Sequence, residues 1–220
     1  MSFEPLRVDF TVVGLVGRSA HPIHLDAMIA KLLIQTELGF APGQGEAERL
    51  LEELPLERKS IADTWVWAAS TIAFKWTGPA TQFAGVRAFR ASEIANQIDV
   101  IEKVKSSQKI DTGSGKWKSE QYANPVQQAS HARAYAIGDI EKIRSLLGSL
   151  TSIGAQRRHN PANVTSVHIE HDEAALELWN RRYLPPAANV KAPRREGSYR
   201  LPMFERRNQT VVKDNHLEYA

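Results

Sequence analysis

The residues whose types and spacing can do chemistry gather first in one turn. Thr151 to Asn163 reads Thr-Ser-Ile-Gly-Ala-Gln-Arg-Arg-His-Asn-Pro-Ala-Asn, with Arg157, Arg158 and His159 side by side and no acid among them. Two guanidinia can each pair with two phosphate oxygens, and a turn also offers backbone N–H groups, so the combination suits a phosphate. The plainer reading is a solvated turn. A second group, Asp111-Thr-Gly-Ser-Gly-Lys-Trp-Lys118, ends in Lys116, Trp117 and Lys118. It lacks the glycine spacing of a nucleotide-binding loop, and no Ser or Thr follows its first lysine, so nucleotide hydrolysis is rejected. It suits single-stranded nucleic acid, with the lysines tracking phosphates while Trp117 stacks on a base. A mobile loop whose tryptophan packs back on the body is the alternative.

Histidines carry the enzymatic alternative. An imidazole titrates near neutrality and can act as general acid or base. His21, His24 and His131 fall near the ends of elements and could converge, although a histidine at a helix start, as at His24, equally suits capping or packing. No Tyr and Lys stand at a supporting spacing. His168 and His171 flank a strand end, with Glu170, Asp172 and Glu173 nearby, but the pattern assigns no metal and no cofactor.

Helices and strands must position these groups. Leu6, Val8, Phe10 and Val12 alternate with Arg7, Asp9 and Thr11, which predicts a half-buried first strand. Leu25, Met28, Ile29, Leu32 and Leu33 predict a first helix over Ile23 to Leu33. Trp65, Val66, Trp67, Ile72, Phe74 and Trp76 favour strand over Asp63 to Trp76, as one strand or two joined at a bulge. These aromatics read as core or subunit interface, with a stacking platform as the alternative. His131 to Ile137 predicts a third strand. Asp139 then caps a helix carrying Ile140, Ile143, Leu146, Leu147 and Leu150, Gly154 falls just past its end, and Val164 to Glu170 alternates as a last strand. The order strand, helix, strand, strand, helix, strand predicts an α+β fold: a ferredoxin-like (RRM-type) βαββαβ core over residues 1–180, whose open sheet face is the one RNA-recognition domains use. Long insertions are expected near residues 39–60 and 105–130, followed by a basic, extended C-terminal tail over residues 181–220.

Composition narrows the class. The chain has 220 residues, 42% of them hydrophobic, which suffices for a real core, and it has no cysteine, which excludes disulfides, thiolate metal sites and cysteine nucleophiles. No stretch reaches membrane-spanning length and no leader-like segment stands out, so a soluble, cytoplasmic protein is expected. The net charge of +3 is unevenly spread, because nine basic residues between Arg181 and Lys213 face only Glu196 and Glu205. Such a stretch suggests a polyanionic partner, or simply a solvated surface.

Four motifs together resemble one family. They are His21-Pro-Ile-His-Leu-Asp-Ala27, Trp65-Val-Trp-Ala-Ala-Ser70 with Phe74-Lys-Trp76, Asp111 to Lys118, and Ile153-Gly-Ala-Gln-Arg-Arg158 leading to Val164. The chain resembles the RAMP superfamily of CRISPR-associated proteins and, within it, the Cas five-like subunit of type IV effector complexes. The resemblance implies a non-catalytic subunit with no cofactor. It would cap the 5′ handle of the guide RNA and abut the RAMP backbone subunit and the large subunit. It would also help position double-stranded target DNA near the protospacer-adjacent motif. The alternative within the superfamily is a guide-processing endoribonuclease. One departure stands out: after the Arg pair the family usually has glycines, whereas this chain has His159-Asn160-Pro161-Ala162-Asn163. Asparagine tolerates left-handed backbone angles, but Pro161 lacks an N–H, so RNA contact is expected from Arg157, Arg158, His159 and Asn160 side chains rather than from the backbone.

Overall fold

The computed structural model describes residues 2–18, 21–39, 44–87, 120–154, 162–201 and 208–219. Its contacts divide the chain into a unit of Met1–Pro79 with Gln127–Ala220, and a second unit of Ala80–Val126. The protein is mixed α and β, with few helices and a mostly antiparallel sheet.

The first unit is built around β1 (Glu4–Val13). Its alternating Leu6, Val8 and Phe10 are wholly buried, as the two-residue period requires. β7 (Glu120–Gly138) and β9 (Ala162–His171) pair antiparallel with β1 on its two edges. Between these in the chain come β2 (Leu15–Gly17), β3 (Arg58–Ile61), β4 (Thr64–Trp67), β5 (Ala73–Trp76), β6 (Thr81–Arg87) and β8 (Ser152–Ile153). Arg133 of β7 pairs with Asp9 of β1 and also with Ala73 of β5, which places β5 on the far edge of β7. The resulting order is β5, β7, β1, β9. Helix α1 (Leu25–Leu38) joins the first half of this set, and a helix over Ile140–Leu147 joins β7 to β9. In α1 the buried Leu25, Met28, Ile29 and Leu32 form one helical stripe against the sheet. Between α1 and β3 lies α2 (Gln44–Leu51), which makes Ile140–Leu147 the third helix, α3. Asp139 caps α3 by accepting from the Lys142 N–H at 3.1 Å, and Ile143 and Leu147 are fully buried.

Several expectations are corrected. The stretch expected as a surface insertion near 39–60 carries Leu51, Leu54 and Leu56 into the core. Leu56 bridges to Gly138, and a side chain at Gly138 would stand 2.5 Å from the Pro55 carbonyl oxygen. The leucines of an acid-rich segment thus serve packing while Glu46, Glu52 and Glu53 are exposed. The run Asp63 to Trp76 is neither one strand nor a bulged pair, because β4 pairs with β3 while β5 pairs with β7. Residues 120–130, expected within a polar loop, belong to β7. In the second unit, β6 pairs antiparallel with Glu120–Val126. The C-terminal stretch is not simply extended. After a short helix α4 (Ala175–Leu178), β10 (Tyr183–Leu184), β11 (Arg194–Gly197) and β12 (Thr210–Asp214) form a three-stranded sheet in the order β10, β12, β11. Backbone pairing, which charge counts do not register, decides this. Among the described residues, no helix is long and apolar enough to cross a membrane.

Candidate nucleic-acid interface

The seven expected RNA-contact residues, Arg157, Arg158, His159, Asn160, Lys116, Trp117 and Lys118, lie outside the described residues. The feet of the basic turn are described. Ile153 of β8 pairs with Ala162 of β9, so the chain leaves and returns at one place. At the outgoing foot Gly154 has a φ of 120°, and a Cβ there would stand 3.0 Å from Val16 Cγ1 and 3.7 Å from the Gly17 nitrogen. Only glycine suits both the backbone angle and the close approach. The basic turn therefore starts against β2.

The same end of β2 forms one wall of a cleft of about 450 Å³. Gly17 and Arg18 line it on one side, Phe74 and Trp76 of β5 on another, and Asp214 with His216 to Tyr219 on a third. Phe74 and Trp76 are two apart in a strand and so share a face; their rings stack with centroids 5.1 Å apart. The Arg18 guanidinium lies over the Trp76 ring at 5.6 Å and donates to Gln127 Oε1 at 3.2 Å. Arg195 and His216 also line the cleft, each bonded to Asp214, at 2.8 and 2.9 Å. A neighbouring hollow of about 560 Å³, lined by Arg133, Tyr135, Arg181 and Lys191, shares the 214–219 segment as its wall.

The open face of the sheet differs from the RNA-recognition arrangement expected. Arg7 bonds Asp9 at 2.9 Å, Asp172 at 3.0 Å and Glu170, while Arg133 bonds the other oxygen of Asp9 at 2.6 Å. These guanidinia are already matched by carboxylates, and Tyr219 lies over Arg133 at 5.4 Å. Alternation put Arg7 and Asp9 on one face; that Glu170 and Asp172 join them required the register of β9.

The histidines do not form one group. His21 Nδ1 lies 3.2 Å from the Tyr183 hydroxyl and the His24 ring packs edge-on against Tyr183. His131 instead bonds Ser130 at 3.0 Å, on β7 opposite Thr11 and Lys75. His24 is buried, with neither ring nitrogen hydrogen-bonded. Burial, reinforced by Arg182 and His21, holds it well below the ordinary imidazole range, so it is neutral at physiological pH. Burial pushes the Tyr183 phenol up to about 12, with Asp214 adding to the effect. His168 and His171, three apart in β9, face opposite sides and pair separately with Glu170 and Glu173. Among the described residues no cluster of three metal-ligating side chains occurs.

The basic C-terminal stretch divides into structural and exposed parts. Arg182 is wholly buried: it donates to the carbonyls of Trp67 at 2.6 Å and Ala69 at 3.0 Å, and to Asp26 at 2.8 Å. Lys213 donates to the carbonyls of Ala188 and Val190. These cations hold the fold and are not free for a polyanion. The aromatic strand also divides. Trp67 is core, while Trp65 packs against it at 5.1 Å and carries Arg58 over its ring at 4.3 Å.

The family model for CRISPR type IV associated protein Csf3 matches residues 4–214. The chain belongs to the Csf3 family. It is therefore a CRISPR type IV associated protein, and the match runs from β1 through the C-terminal sheet to the wall of the cleft. A search of curated proteins finds no match to this Csf3-family chain. Sequence reasoning missed Arg18 and the His216–Asp214 pair, of which the latter left a signal in an Asp-Asn-His run; Trp76 was read with the other strand aromatics as core or interface, with a stacking platform as the alternative.

Proposed function

We propose that this Csf3-family chain is a non-catalytic, cytoplasmic, guide-RNA-binding subunit of a type IV CRISPR effector complex. In this reading it is a RAMP protein of the Cas five-like kind, capping the guide RNA's 5′ handle beside the backbone and large subunits. It would help position double-stranded target DNA near the protospacer-adjacent motif. The strand order β5, β7, β1, β9, with α1 and α3 as the two connections, supports a ferredoxin-like βαββαβ core for that role. The observation that carries the reading is the foot of the basic turn: Gly154, three positions before Arg157 in the sequence, packs against Val16 and Gly17, and Gly17 lines a cleft with arginine and aromatic side chains.

Replacing both Arg157 and Arg158 with alanine tests it. Guide-RNA affinity should fall, and the dependence of log K on log salt should become shallower by about 0.7 for each phosphate that is no longer neutralised. Unchanged affinity and slope would refute it. A guide-processing endoribonuclease is the second reading, favoured by His21 and His216 lining one cleft. Metal-independent cleavage of repeat RNA, abolished by His21→Ala or His216→Ala, would support it instead.

A further inference from the structure

Among the cavities, the cleft beside β5 combines a rigid aromatic platform with a cation, Arg18, that pairs with no acid among the described residues. We infer that this cleft receives one unstacked ribonucleotide, its base on Trp76 and its phosphate on Arg18; the inference rests on the guide-RNA reading above.

Size is the first argument. A volume of about 450 Å³ lies within the roughly 300–1,000 Å³ of small-ligand sites and admits a nucleotide but not a helix. The second is the platform. Trp76 is 36% exposed, and its ring stacks on Phe74, which itself packs against the core. A base entering over Trp76 would take the place now held by the Arg18 guanidinium, another flat group at stacking distance. Displaced from the ring, Arg18 would exchange the 3.2 Å bond it makes to Gln127 among the described residues for a phosphate.

Charge sets the number of phosphates. Arg195 is matched by Asp214, Glu218 also lines the cleft, and His216 is held through Nδ1 by Asp214, with Nε2 3.9 Å from Glu218. The two guanidinia thus face two carboxylates, with the His21 ring also lining the cleft. That balance favours one phosphate over a run of them. Affinity at this point should come from stacking more than from charge, in contrast to the Arg157–Arg158 turn.

The test uses the full chain with fluorescein-labelled oligouridylate and oligoadenylate of about eight nucleotides, within the span one single-strand-binding domain covers. Trp76→Ala should weaken binding about tenfold, the worth of one stacked base, with the salt slope unchanged. Trp76→Phe, which keeps a ring, should stay within about threefold of wild type. Arg18→Gln should lower the salt slope by about 0.7. Free AMP and UMP should compete far more weakly than the oligomers, since the site is part of a longer RNA path. Wild-type affinity in Trp76→Ala, with Arg157→Ala/Arg158→Ala still impaired, would overturn this inference and leave the guide-RNA reading standing. AMP or UMP binding as tightly as the oligomers would mark a free-nucleotide site and also overturn it. So would loss of a co-purifying protein from Trp76→Ala while its RNA affinity holds. No RNA binding by wild type would overturn both.

Discussion

Replacing Arg182 with methionine tests how the C-terminal sheet is tied to the core. The guanidinium stands at the junction of three parts of the first unit. It reaches the Trp67 and Ala69 carbonyls after β4, Asp26 in α1, and the Tyr183 and Tyr199 carbonyls of the C-terminal region. Methionine keeps most of the apolar volume but leaves Asp26, fully buried, without its cation. Breaking a buried pair from one side costs about 3–5 kcal/mol, and the orphaned carbonyls keep the loss in the upper part of that range. With a urea slope of about 2.5 kcal/mol per molar, the midpoint of unfolding should fall by about 1–2 M.

The pH dependence gives that prediction a second edge. Burial already pushes the Asp26 carboxyl up from 3.8, with Arg182 pulling it back. Without Arg182 it rises further. Between the unfolded and folded pKa values the native state then binds more protons than the unfolded one, so stability falls as pH rises. The variant's deficit against wild type should therefore shrink as pH drops from about 7.5 to about 5. Loss of Arg182 also relieves His24, whose acid penalty shrinks in the same direction. Adding Asp26→Leu to Arg182→Met should recover the part due to the stranded charge. A midpoint shift below about 0.4 M, or a deficit independent of pH, would refute the reasoning.

Other expectations follow from single contacts. His24 is neutral when folded and titrates normally when unfolded, so wild-type stability should be full above about pH 6.5 and decline as pH falls, by up to about 1.4 kcal/mol per pH unit. His24→Leu should flatten that decline in urea midpoints measured across the range. Gly154→Ala forces a side chain to φ 120° and to 3.0 Å from Val16 Cγ1, and should cost about 1–3 kcal/mol, read as a lower melting temperature. Gly138→Ala should be worse, because its Cβ would meet Pro55 O at 2.5 Å and Ile143 Cδ1 at 2.6 Å. Gly148→Ala, with nothing nearer than 3.3 Å, is the matching control.

Where local pattern dictates structure, the sequence was enough. Alternation identified β1, the Asp139 cap and its apolar stripe identified α3, and the two-residue period identified the strand that became β9. Each depends on residues within one turn or one pleat. Partnership was not legible. Trp67 and Trp76 look alike in the chain, yet one enters the core while the other lines a cleft, because β4 and β5 join different sheets. Arg182 and Lys191 count equally toward a basic tail, yet Arg182 is sealed in the interior. Charge and aromatic content are properties of the chain. Whether a cation is spent on a carboxylate or remains available to a phosphate depends on groups more than 150 residues away, as Arg182 and Asp26 are at a separation of 156, and only the tertiary structure decides that.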